Sequence, residues 1–148
     1  MDSMCAVMAC VAVLLLAGCA HEPESFKCEY VSDYNPRCVQ ELLNGNLDKA
    51  EVYCDLGLEF TPRSADLWAN KGLIALSRGD PVKAKAHLLQ ALRYNPEHPR
   101  AYFHLGVLAM REGDYPQAET AFLQCVRLEP ANVECQEHLE QARRASSP

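Results

Sequence analysis

The sequence predicts an all-α solenoid: three helical hairpins stacked in register and closed by one further helix. Three observations predict it. Similar residues recur every 34 positions, each recurrence holds two apolar-periodic segments of about a dozen residues, and glycine or proline marks the junctions between them. The columns are explicit. Tyr34, Trp68 and Tyr102 align, as do Gly45, Gly79 and Gly113, then Ala50, Ala84 and Ala118, then Pro62, Pro96 and Pro130. Small residues recur at Gly57, Ala91 and Cys125, and apolar ones at Phe60, Tyr94 and Leu128. No insertion breaks the register from Val31 to Asn132.

In chain order, the first element is an export signal. Ala6 to Leu16 is apolar apart from Cys10, and the small pair Ala17-Gly18 precedes Cys19. An apolar run ending in small residues reads as a secretory signal peptide, here residues 1–18. The run Leu16-Ala17-Gly18-Cys19 resembles the lipobox of bacterial lipoproteins, which implies cleavage before Cys19 and acylation of that cysteine. Met1-Asp2-Ser3-Met4 departs from signal anatomy, since it has no Lys or Arg. Residues 19–30 then read as the lipidated cysteine and a short tether. The repeat units follow at 31–64, 65–98 and 99–132, with a closing helix at 133–144 and a tail at 145–148.

Each unit explains its own boundaries. Asn44-Gly45-Asn46, Arg78-Gly79-Asp80 and Glu112-Gly113-Asp114 divide the hairpins. Glycine takes a positive φ and ends the first helix, and the following Asn or Asp caps the next by accepting backbone N–H bonds. Pro81 suits a first helical turn, and Asp114 with Gln117 has capping-box spacing. Pro62, Pro96 and Pro130 end the second helices, because proline lacks the N–H and clashes with the preceding turn. Ser64, His98 and Asn132 precede the helices that follow. The first unit is atypical: Cys38 stands where Gly72 and Gly106 stand, and Asn35-Pro36 is expected to delay its first helix.

The period, with Trp68 and Gly72, Tyr102-Phe103-His104-Leu105-Gly106, Ala84, Ala91 and Pro96, and Ala118, Phe122 and Pro130, resembles the tetratricopeptide repeat. The resemblance implies a right-handed superhelix whose concave face is lined by the first helix of each unit. The matching positions are Asn35 and Val39, then Ala69, Asn70, Leu73 and Ser77, then Arg100, Phe103, His104, Val107 and Arg111. They suggest an apolar strip of Leu73, Phe103 and Val107 edged by Asn70, His104, Arg100 and Arg111. Such a strip suits an extended or helical peptide with apolar anchors and an acidic group. The alternative is that Leu73 and Val107 are buried between helices. Trp68 and Tyr102 read as core.

Outside the signal and Cys19, five cysteines remain: Cys28, Cys38, Cys54, Cys125 and Cys135. The resemblance puts Cys38 and Cys54 on facing helices of the first unit, and Cys125 and Cys135 across the junction to the closing helix. Both pairs are candidate disulfides, and an exported chain can hold them. Cys28 could replace either partner of the first bridge, and the alternative for each is a small buried hydrophobe. The odd count leaves a thiol free or paired between chains.

Composition narrows the function. All 14 Lys and Arg lie beyond the signal, against 19 Asp and Glu, so the mature charge is −5. A mildly acidic chain without basic clusters argues against nucleic acid as a partner. No second apolar run approaches the roughly 20 residues of a spanning helix. The motifs of nucleotide binding, of zinc sites and of serine hydrolases are missing, so we expect neither an enzyme nor a metal or cofactor. The expectation is a membrane-anchored adaptor that binds a protein or peptide partner in the bacterial envelope, anchored by lipid at Cys19. Ala20 after that cysteine favours the outer membrane, facing the periplasm. The layout of lipobox, tether and tandem repeats is similar to pilotins of type IV pilus secretins. The alternatives are a self-associating structural repeat protein and a thiol-linked redox role.

Overall fold

The computed structural model describes residues 34–147. The signal, Cys19, the tether, Cys28 and the first residues of unit one lie outside them. Seven helices fill the described chain: α1 Tyr34–Leu43, α2 Leu47–Phe60, α3 Ala65–Ser77, α4 Pro81–Tyr94, α5 Pro99–Glu112, α6 Tyr115–Leu128 and α7 Val133–Ser146. Strands are absent among the described residues. No described helix is long and apolar enough to cross a membrane.

Consecutive helices pack as antiparallel hairpins, and each hairpin packs on the next. The first helices also touch one another, α1 with α3 and α3 with α5. They therefore form the inner layer of a curved stack, with α2, α4 and α6 outside. Three core clusters run along the stack, around Cys54 and Leu67, around Leu88 and Ala101, and around Phe122 and Leu139.

The junction chemistry is largely that expected. Gly45, Gly79 and Gly113 all sit near φ +75° in the hairpin turns, a region that disfavours a Cβ. Ser64, Asp80, Asp114 and Asn132 accept a backbone N–H three residues on, and the His98 ring does the same through Nδ1. Asn46 differs: its side chain makes no capping bond to α2, and its amide nitrogen donates instead to Glu41 at 2.7 Å. The prolines at 62, 96 and 130 each lie two residues past a helix end. Pro36 does not delay α1 as expected. The helix already includes Tyr34 and Asn35, so Pro36 falls in its first turn, where an N–H has no intrahelical acceptor to lose. At the other end α7 runs to Ser146, two residues past the expected boundary.

Helix contacts explain the small columns. A Cβ on Gly72 would fall 2.6 Å from the Leu88 side chain, and one on Gly106 would fall 2.5 Å from the Phe122 ring. A large residue thus fills the space its glycine leaves. In the first unit the same two columns hold Cys38 and Cys54, joined as a disulfide with Cα atoms 5.4 Å apart. The junctions between units follow a second rule. A Cβ on Gly57 would fall 2.7 Å from Leu67, Ala91 and Ala101 hold the next pair of columns, and Cys125 and Cys135 hold the last. That last pair is also a disulfide, with Cα atoms 6.0 Å apart.

Candidate peptide groove on the concave face

The inner helices enclose a groove of about 470 Å³. Val39, Leu42 and Leu43 of α1 form one end. Asn70 and Leu73 of α3 and Arg100, Phe103 and His104 of α5 form the middle. Cys125, Asn132 and Glu134 reach the other end. The lining is mostly apolar with a few polar groups, as recognition sites are. Leu43 is 78% exposed in the last turn of α1, an apolar side chain left open at the groove's edge.

Asn70 organises the floor. It is 1% exposed, so its amide must be satisfied internally. Its Oδ1 accepts from Arg100 at 2.7 Å and its Nδ2 donates to Asn35 Oδ1 at 2.9 Å. One buried side chain thereby links α1, α3 and α5. Arg100 is otherwise exposed, and no carboxylate of the described residues pairs with it. A guanidinium presents five donors, so most remain for an incoming acceptor.

His104 lies half-buried beside it. Burial pushes its pKa down to about 4, and the nearby positive charge of Arg100 and the His98 ring push the same way. The middle of the groove at neutral pH therefore carries one fixed positive charge and one neutral imidazole, with the Glu134 carboxylate at the far end. Phe103 is half-buried and has two faces of duty. It lines the groove, yet its ring also packs 5.8 Å from Phe122 and 5.1 Å from His138.

Of the expected strip, Asn70, Leu73, Arg100, Phe103 and His104 converge on the groove. Val107 and Arg111 do not. Val107 is half-buried and packs against the core cluster around Phe122 and Leu139. Arg111 donates to the Leu76 carbonyl at 2.8 Å and borders a separate hollow of about 220 Å³. Successive positions four apart on a helix drift around its axis and along it, so a strip of about three turns leaves a curved face. Ala69 is likewise core, 1% exposed. Leu42, Leu43, Asn132 and Glu134 escaped the sequence reading. The apolar pair Leu42-Leu43 just before the Asn44-Gly45 turn was the available signal, while Asn132 and Glu134 belong to the start of the closing helix, which reads in sequence only as a cap. Among the described residues no three His, Cys, Asp or Glu side chains gather as a metal cluster.

Residues 69–133 match the family model of the tetratricopeptide repeat. No curated protein is significantly similar in sequence. Solved structures are similar in fold. The first repeat domain of human RPAP3 superposes with a TM-score of 0.72 at 18% identity, over 78% of this chain and 91% of that one. The first repeat domain of Spaghetti (RPAP3), bound to the HSP90 peptide SRMEEVD, gives 0.70 at 18% identity over 78% and 91%. The second repeat domain of human RPAP3, in complex with the HSP70 peptide SGPTIEEVD, gives 0.65 at 20% identity over 75% and 92%. Period, fold and family match agree: residues 69–133 match the tetratricopeptide repeat, and the described chain has the all-α fold of such repeat domains.

Proposed function

We propose that this protein is an adaptor that binds a protein segment in its concave groove, held at a membrane of the bacterial envelope by lipid on Cys19. The observation that carries the binding reading is the exposed Arg100 guanidinium, anchored by a buried Asn70 in the middle of an apolar groove. An exposed cation held in one orientation between apolar walls suits a carboxylate flanked by apolar side chains. Two fold relatives are solved with acidic peptides, SRMEEVD and SGPTIEEVD, which supports the same use of the surface here. The anion would rest mainly on Arg100, which Asn70 holds in place.

The anchoring reading rests on the run Leu16-Ala17-Gly18-Cys19 behind an apolar stretch. The two disulfides fit export, since such bonds persist in oxidising compartments. Ala20 after the acylated cysteine favours the outer membrane facing the periplasm, and the layout suits assembly of an envelope machine such as a pilus secretin. Peptides selected from a random library against the folded chain should carry a carboxylate between apolar residues. Arg100→Gln should weaken them about tenfold. Selected sequences indifferent to that change would contradict the binding reading. A fatty-acid label lost in Cys19→Ala supports the anchor, and an unlabelled wild-type chain removes it.

A further inference from the structure

We infer that the groove is complete only in the oxidised chain: the Cys38–Cys54 and Cys125–Cys135 disulfides hold its two end walls, and their formation finishes the site. The inference rests on the reading that this groove is the working surface.

The placement of the bonds carries it. Between α3 and α6 every helix contact of these columns is filled without a covalent bond, by Gly72 against Leu88, Ala91 against Ala101 and Gly106 against Phe122. The two disulfides occupy the equivalent columns at the two ends. Each end wall of the groove is chained directly to one of them. Val39 follows Cys38, and Glu134 precedes Cys135. The first end depends on its bond most: Cys38 is the only buried residue of α1. Among the described residues α1 and α7 also have helix neighbours on one side alone, and such elements open at lower free energy than the middle of a stack.

Reduction would remove what packing does not replace. Two free thiols need more room than a bonded pair, and neither is the large side chain that Leu88 and Phe122 provide. The hairpin of α1 and α2 must then part or rotate, carrying Val39, Leu42 and Leu43 off the groove. Closing each bond takes two electrons and two protons from a thiol pair. They pass to a disulfide oxidant, which leaves as a dithiol; a dithiol reductant reverses the step. All four cysteines are at most 1% exposed, so exchange waits on opening of the ends.

Hydrogen exchange by mass spectrometry on the full chain tests this, oxidised and in dithiothreitol, with thiols counted by alkylation. We expect α1 and α7 to lose protection by about tenfold or more on reduction, while α3 to α6 change by less than about threefold. Unchanged protection at both ends, with the thiols shown to be free, overturns the proposal. If the reduced chain unfolds throughout, Cys38→Ser with Cys54→Ser decides, because the second bridge remains. Loss confined to the α1 wall supports the proposal, whereas no loss, or loss through every helix, overturns it. No partner is needed for this readout. A groove that binds nothing in either state would remove the adaptor reading and leave the exchange result standing.

Discussion

Arg100 on α5 donates a 2.7 Å hydrogen bond to the amide oxygen of Asn70 on α3, a side chain that is 1% exposed. The same amide donates onward to Asn35 on α1. One relay thus fixes both the register of three units and the direction of the one cation in the middle of the groove. Replacing Asn70 by Ala removes both bonds at once. The expected cost is about 1–2 kcal/mol, read as a lower urea midpoint with an unchanged slope. Arg100→Gln should cost less than about 1 kcal/mol, because the guanidinium is exposed, and should act on binding instead.

Phe103 couples the groove to the core. Its ring meets Phe122 and His138 as well as the groove lumen. Phe103→Ala is therefore expected to destabilise the domain by about 2 kcal/mol as well as weaken binding. Chemical denaturation followed by circular dichroism reads the first effect. A stability equal to wild type would show that the ring serves the groove alone.

Gly106 has no room for a side chain. A Cβ there meets the Phe122 ring at 2.5 Å, and the ring is fully buried. Gly106→Ala should cost about 1–3 kcal/mol by overpacking. Adding Phe122→Leu should recover part of that loss, because the contact is shared. Additive losses in a double-mutant cycle would show that the two sites do not compete for space.

His104 sets a window of acid sensitivity. Its folded pKa lies near 4, below the 6.5 of an exposed imidazole, so the unfolded chain binds its proton first. Stability from this group is full above pH 6.5 and is lost as pH falls toward 4, where the folded form also takes the proton. The expected loss is about 3 kcal/mol at most. His104→Gln should flatten the stability profile between those limits. A profile as steep as that of wild type would assign the acid response to other groups. Asp80, held low chiefly by the backbone N–H of Lys83, acts only below the ordinary carboxylate range and does not confuse this window.

The fold was legible because its signals are local and repeated. Glycine turns, capping residues and terminal prolines act within a few residues of chain, and each recurs at a fixed interval. The repeat resemblance made Cys38 with Cys54 one candidate pair, with Cys28 an alternative partner for either, and the structure joins Cys38 to Cys54. The site was legible only in its middle. Column positions identify which helix face points inward, but not where a curved face leaves the groove, so Val107 and Arg111 fall on the expected strip although one packs half-buried against the core and the other lines a separate hollow. Asn46 shows the limit at a single residue: a capping side chain was expected, but Glu41, five positions earlier, engages its amide. The outer walls at Leu43 and Glu134 depend on how the terminal helices tilt, which no spacing in the sequence records.

The central claim is that the concave groove is the binding surface and that Arg100 orients what it binds. A photo-crosslinker at Leu73, which lines the groove midway between the disulfides, tests it in membranes of the native cell. The account predicts one dominant protein adduct, lost when Arg100 is changed to Glu. Adducts only to a second copy of this chain, or adducts untouched by Arg100→Glu, would contradict it.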